Sequence, residues 1–213
     1  MHFPVGGGRR DPPDRNEGYQ AEGPWYSRPM HEVIVALFTL FTSLVDRPAA
    51  EALISTAKDT HLTVEVAAQH VAAARFAAVL TDIDPDLLLA IAHFESRYRP
   101  TVVGPLVRGK RACGVLQHVP IKAKCPTPSI LRDYVTGARH LAEWVHAQRG
   151  DIERALTGYA GGYRLLEKCD RGEALRACTI ANYHLARARR IQRARELKDA
   201  RPTPSKRRSI EAS

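Results

Sequence analysis

From His31 onward, apolar positions recur along the chain at helical spacing. The pattern predicts a first helix over Val33 to Leu44 and a second over Ala49 to Lys58, after Pro48. An alanine-rich helix follows over Val64 to Leu80, with Val66, Val71, Phe76, Val79 and Leu80 as its apolar contacts. Alanine-rich helices pack closely, which predicts a central place for this one. Asp84 as N-cap and Pro85 at the first helical position open the next helix. It runs to about Glu95 or Ser96, with Pro100 just past its end. Gly and Pro then mark Pro100 to Ser129 as loop, with room for a short hairpin. Helices resume at Ser129–Arg149, Asp151–Tyr159 and Glu173 to about Leu197. The class predicted is all-α (mainly α) with one long loop insertion.

Composition adds the flanks. Residues 1–30 hold Gly6-Gly7-Gly8, Pro12-Pro13 and Pro24, and read as a flexible arm. Residues 31–63 form an N-terminal helical extension, 64–197 the main domain and 198–213 a basic flexible tail. The run Val33 to Val45 reaches about 20 Å as a helix, short of the ~30 Å hydrocarbon core of a membrane. It reads as a packed helix. A signal-type segment there lacks its basic flank, because Met30 is followed by His31 and Glu32, and no secretory signal starts at Met1.

The chain of 213 residues carries a net charge of +9, which predicts an anionic partner: nucleic acid, an acidic membrane or a cell-wall polymer. The array Arg187, Arg189, Arg190, Arg193, Arg195 is dense enough for nucleic acid or an acidic protein surface, or is a solvated helix. Cysteines fall as two local pairs, Cys113 with Cys125 and Cys169 with Cys178; two disulfides and four reduced thiols both remain open. Cys113, His118 and Cys125 fit no familiar zinc spacing, and HExxH is absent, so no metal and no cofactor are predicted. His118 reads as a solvated loop residue, with a sugar contact in the cleft as the alternative. Gly6-Gly7-Gly8 has no strand before it and no helix after it, as a phosphate cradle would need.

Glu95 is the candidate for chemistry. Leu88, Ile91, Ala92 and Glu95 fall at i, i+3, i+4 and i+7, on the apolar face of their helix. Burial and the negative end of the helix dipole both raise a carboxyl pKa toward what a general acid needs. A surface pairing with Arg97 or Arg99 is the competing placement. No other acid follows until Asp133, while Arg97, Arg99, Arg108, Lys110, Arg111, Lys122, Lys124 and Arg132 make the segment basic. Ordinary glycosidases use two carboxyls, about 5–5.5 Å apart for retention or about 6.5–9.5 Å for inversion. Asp133 and Glu143 are the next acids, on a helix predicted to be distant.

The neighbourhood of Glu95 carries a family resemblance. Glu95-Ser96 precedes Tyr98 and Pro100, then Gly114-Val115-Leu116-Gln117, and later Gly158-Tyr159-Ala160-Gly161-Gly162. These segments resemble the E-S-x-F/Y-x-P, G-L-M-Q and A-Y-N-A-G motifs of the soluble-lytic-transglycosylase family, whose domain is goose-lysozyme-like. Gly137-Ala138-Arg139-His140-Leu141 is similar to that family's G-A-x-Y-L helix, and Tyr183 to Arg189 to its closing helix. The resemblance covers roughly residues 75–190.

It implies a lysozyme-like fold and a peptidoglycan lytic transglycosylase. Glu95 would be the sole acid/base and Ser96 its supporting hydroxyl. Tyr159 would orient the Glu95 carboxylate. Gly114, Leu116, Gln117, Tyr98 and Tyr163 are the substrate-binding residues expected, Tyr163 as a wall of the cleft or packed beneath it. Ala160 departs from the family's asparagine. The substrate implied is the MurNAc-GlcNAc bond of peptidoglycan, opened with 1,6-anhydro-MurNAc formation. The absence of a signal peptide predicts delivery by a larger protein assembly. That assembly is a phage virion opening the wall as the genome enters, or a secretion machine acting in the periplasm or wall. A catalytically weak or inactive lysozyme-like structural component is the alternative, which Ala160 favours.

Overall fold

The computed structural model describes residues 46–57, 61–106, 109–119, 124–173 and 176–200, and their regular structure is helical. The expected arm, the Val33 to Leu44 helix and the basic tail beyond Ala200 lie outside them. The helices are α1 (Arg47–Ala57), α2 (Val64–Thr81), α3 (Pro85–Ser96), α4 (Ile130–Ala147), α5 (Ile152–Asp170) and α6 (Ile180–Asp199). A single 3₁₀ turn, Arg176–Thr179, leads into α6.

Local chemistry sets the helix ends. Thr63, Ser129 and Asp151 each accept a first-turn backbone N–H, as does Asp84 from Asp86 and Leu87, with Pro85 at the first position of α3. Asp46 does the same for α1, through Ala49 N–H at 3.0 Å. At the far end of α3 the chain turns through left-handed residues, Arg97 at φ 53° and Tyr98 at φ 62°. Their N–H groups bond back to His93 and Ala92, closing the helix with a left-handed (αL) cap.

The core is one cluster, and α3 runs through it. Leu87 through Ala92 are all buried, so α3 is apolar around its circumference. It packs against α2 and α6, while α4 packs on α2 and α5. The alanine-rich helix has the central place expected: α2 packs on α1, α3 and α4 and is buried along Ala67, Val71, Ala74 and Ala77, but Val79 and Leu80, expected as apolar contacts, are exposed at its end. Helix α1, expected within an N-terminal extension, contributes Ala49, Ala50, Leu53 and Ala57 to the same core.

Two elements differ from the pattern. Helix α5 does not stop at Tyr159 but continues to Asp170 across a kink at Gly162, with φ 70° and ψ −171°. Only glycine adopts that backbone readily, so the two glycines there bend the element rather than end it. The last helix begins at Ile180 instead of Glu173, because the 3₁₀ turn Arg176–Thr179 comes first. Among its described residues the long loop holds two isolated antiparallel bridges, Val103 with Cys113 and Cys113 with His118.

Both cysteine pairs are disulfides, Cys113–Cys125 and Cys169–Cys178, with Cα atoms 5.8 and 5.7 Å apart. The second ties the end of α5 to the turn before α6. Replacing Cys169 and Cys178 together by Ser is expected to lower stability by about 2–3 kcal/mol, the cost of freeing a short loop in the unfolded chain. Urea unfolding of the double variant checks this.

Candidate active site

Helix α3 brings Glu95 to the surface edge of the core. Leu88, Ile91 and Ala92 on its face are at most 1 % exposed, whereas Glu95 one turn later is half-buried. Its carboxyl has no hydrogen-bond partner among the described residues, and no ion pair joins it to Arg97 or Arg99. Arg99 instead donates to the Ser96 carbonyl at 3.3 Å. Burial alone pushes the Glu95 carboxyl up to about 7, so it holds its proton near neutrality yet can release it.

The turn Gly114-Val115-Leu116-Gln117 is built tightly. Cys113 N–H donates to the His118 carbonyl at 2.9 Å and Gly114 N–H to the Val102 carbonyl at 2.9 Å. Gln117 is half-buried, and its Nε2 donates to the carbonyls of Gly114 at 2.8 Å and Val102 at 3.0 Å. Its amide therefore braces the turn. Leu116 is fully buried, and its side chain fills the space where a Cβ on Gly137 of α4 would stand, 2.5 Å away. Gly137 in the Gly-Ala-Arg-His-Leu segment thus lets the turn press against α4.

Asp133, expected to lie far off, is part of this construction. It is 2 % exposed, accepts Val115 N–H at 3.0 Å and packs directly on the Gly114 Cα. Burial raises its pKa to about 6, against the opposing pull of the Val115 N–H and the Arg132 charge. It is a second acid, engaged in holding the turn. Sequence spacing hid it, because the contact spans the whole loop.

Tyr159 of α5 meets the same turn. Its hydroxyl donates to the Leu116 carbonyl at 2.7 Å, so it fixes that backbone rather than bonding the Glu95 carboxyl. It is nonetheless near Glu95: burial first, and the Glu95 charge second, raise its pKa well above the ordinary value. Glu95, Tyr159 and the 114–117 turn are thereby gathered in one place. Tyr159→Phe would leave a buried carbonyl without its donor, at about 1–3 kcal/mol. The expected result is a destabilised turn and a loss of activity of about tenfold, read from melting curves and cleavage rates of the same preparation.

Other expected site residues stand elsewhere. Tyr98 is 1 % exposed and packs edge-on against His70 and His93, at ring separations of 5.2 and 5.7 Å. It is a core residue, because the left-handed turn at Arg97 swings it inward, and a substrate contact is ruled out by that burial. Ser96 is buried, and its hydroxyl donates to the Ala92 carbonyl at 3.1 Å, within its own helix. His118, read as a solvated loop residue, is 8 % exposed, with its pKa lowered by burial and then by Arg132 and His140. Ala160 is exposed beside Tyr159.

Sequence reasoning missed a row of rings. The His140 ring lies 5.3 Å from Tyr159 and 6.4 Å from Trp144, and Trp144 lies 4.7 Å from Tyr163. Trp144 Nε1 donates to His140 Nε2 at 3.3 Å, and His140 Nδ1 faces Glu143 at 3.7 Å. Helical spacing places His140 and Trp144 one turn apart on α4, a signal that was available. On the other side of α3, Phe94 and Tyr183 of α6 pack 5.3 Å apart, and the Tyr183 hydroxyl lies 3.4 Å from His93 Nδ1. No family model, curated protein or solved structure matches the chain.

Proposed function

We propose that this chain is a peptidoglycan lytic transglycosylase with Glu95 as its single acid/base. One observation carries the reading: a half-buried carboxyl, held near pKa 7 by burial and free of ion pairs to Arg97 and Arg99, stands where Tyr159 and the 114–117 turn converge. A group that must first give a proton and then take one works best with a pKa near the working pH. Protonated Glu95 donates to the oxygen between MurNAc and GlcNAc, and the C1–O bond breaks. The acetamido oxygen of MurNAc stabilises the cation at C1. The Glu95 carboxylate then removes the proton of the C6 hydroxyl, whose oxygen bonds C1 and closes the 1,6-anhydro ring. The acid is regenerated, no water is consumed and no second carboxyl is required.

The two disulfides suit work outside a reducing cytoplasm, as wall opening by a virion or a secretion machine demands. Ala160 supports a second reading, a lysozyme-like component that binds glycan without cleaving it. Mass spectrometry of digested peptidoglycan separates them. Anhydro-muropeptides are the expected product; reducing ends would make the protein a hydrolase, and an absence of products would favour the structural component.

A further inference from the structure

The ring row continues from Tyr159 to an exposed ring, Tyr163, that the proposed proton transfers do not use. Tyr163 is 55 % exposed, yet its ring is held against Trp144 at 4.7 Å with the planes 50° apart. Both partners are positioned by backbone built for the purpose. A Cβ on Gly158 would stand 2.4 Å from Trp144 Cε3, so that glycine alone lets the indole lie on α5. The indole is fixed in rotation by its N–H bond to His140. Tyr163 follows Gly162, whose φ of 70° and ψ of −171° belong to a region open almost only to glycine. A straight helix would not need that conformation, and the kink occurs at the residue before the exposed ring.

Preorganised, half-exposed aromatics are suited to the flat C–H face of a pyranose, which offers apolar surface while its hydroxyls stay wet. The His140 ring, 5.3 Å from Tyr159 and 6.4 Å from Trp144, links the platform to Tyr159, and Trp144 lies 4.7 Å from Tyr163.

We propose that Trp144 and Tyr163 form a stacking platform for a pyranose ring of the glycan, removed from the scissile bond, so that longer chains are favoured. The identity of the ligand rests on the transglycosylase reading. Two measurements keep the two ideas apart. The first needs no catalysis: Glu95→Gln protein carrying Trp25→Phe, so that Trp144 is its only tryptophan, is titrated with chitotetraose. Saturable change in tryptophan emission is expected, with affinity at least tenfold weaker in Tyr163→Ala and largely restored in Tyr163→Phe. Emission that does not respond, or equal affinity in Tyr163→Ala, overturns the platform.

The second compares cleavage of long glycan strands with that of a tetrasaccharide. The rate ratio of long to short is expected to fall about tenfold in Tyr163→Ala. An unchanged ratio with normal anhydro products would sink the platform and leave the activity standing. Saturable tetraose binding without any product would sink the activity and leave the platform.

Discussion

Glu95→Gln is expected to remove peptidoglycan cleavage while leaving the fold intact. General acid catalysis is worth about 10²–10⁴ in rate, and Glu95 serves both proton steps, so the loss should be at least about 10³-fold. Glutamine keeps the size of the side chain, and among the described residues the carboxyl has no ion pair or hydrogen bond to be broken. The wild-type pH profile should carry the same signature. The first step needs the protonated form, so kcat/KM should decline as pH rises through about 7, where burial has placed the group. Asp133 is the control: it also titrates high, at about 6, but only braces the turn. Asp133→Asn should retain the basic limb and most of the rate. Wild-type activity in Glu95→Gln, or a limb that moves with Asp133, would sink the single-acid assignment.

Gly114→Ala should be the most damaging single-methyl change near the site. The residue sits at φ +75°, and a Cβ there would meet Asp133 Oδ2 at 2.1 Å and Cγ at 2.5 Å. The carboxyl cannot step aside, because it is buried at the start of α4 and bonded to Val115 N–H. Left-handed strain of about 1–2 kcal/mol adds to overpacking of about 1–3 kcal/mol, for a total near 4 kcal/mol. Gly109→Ala isolates the first contribution, since Gly109 has the same φ of +75° and nothing within 4 Å of its Cβ position. Denaturant unfolding of both variants should show Gly114→Ala two- to fourfold more costly. Its cleavage rate should fall further than stability alone explains, because Gln117 is braced by the displaced turn. Equal costs would mean that Asp133 does not support Gly114.

The sequence made the helix starts legible because their signals are local. Asp84-Pro85 and Ser129 cap their helices through side chains two or three residues from the groups they satisfy. Glu95 was legible through its spacing with Leu88, Ile91 and Ala92. The misplaced residues share a different cause. Tyr98 was assigned to the cleft, but the sign of φ at Arg97 sends it inward, and residue type alone does not fix that sign at a non-glycine. Asp133 looked remote because its partner Val115 is distant in sequence, and His118 looked solvated because loops usually are. The end of α5 was misjudged at Gly161-Gly162, where glycine can equally stop a helix or bend it. For Asp133 and His118 contacts made by the loop decide, and such contacts leave no periodic trace.

The burial of Glu95 also bears on how firmly the chain stays folded. In the unfolded chain the group titrates at 4.5 and in the native protein at about 7. Its folded-state pKa is raised, so its contribution to stability is intact below 4.5 and is lost as pH rises through 7. The full displacement corresponds to roughly 3 kcal/mol, which partial exposure reduces to about 1–2 kcal/mol. Wild type and Glu95→Gln should therefore melt together at pH 4 and diverge at pH 8, with the inactive variant several degrees higher. Through this one group the protein gives up part of its thermal margin in the range where its carboxyl becomes able to accept a proton.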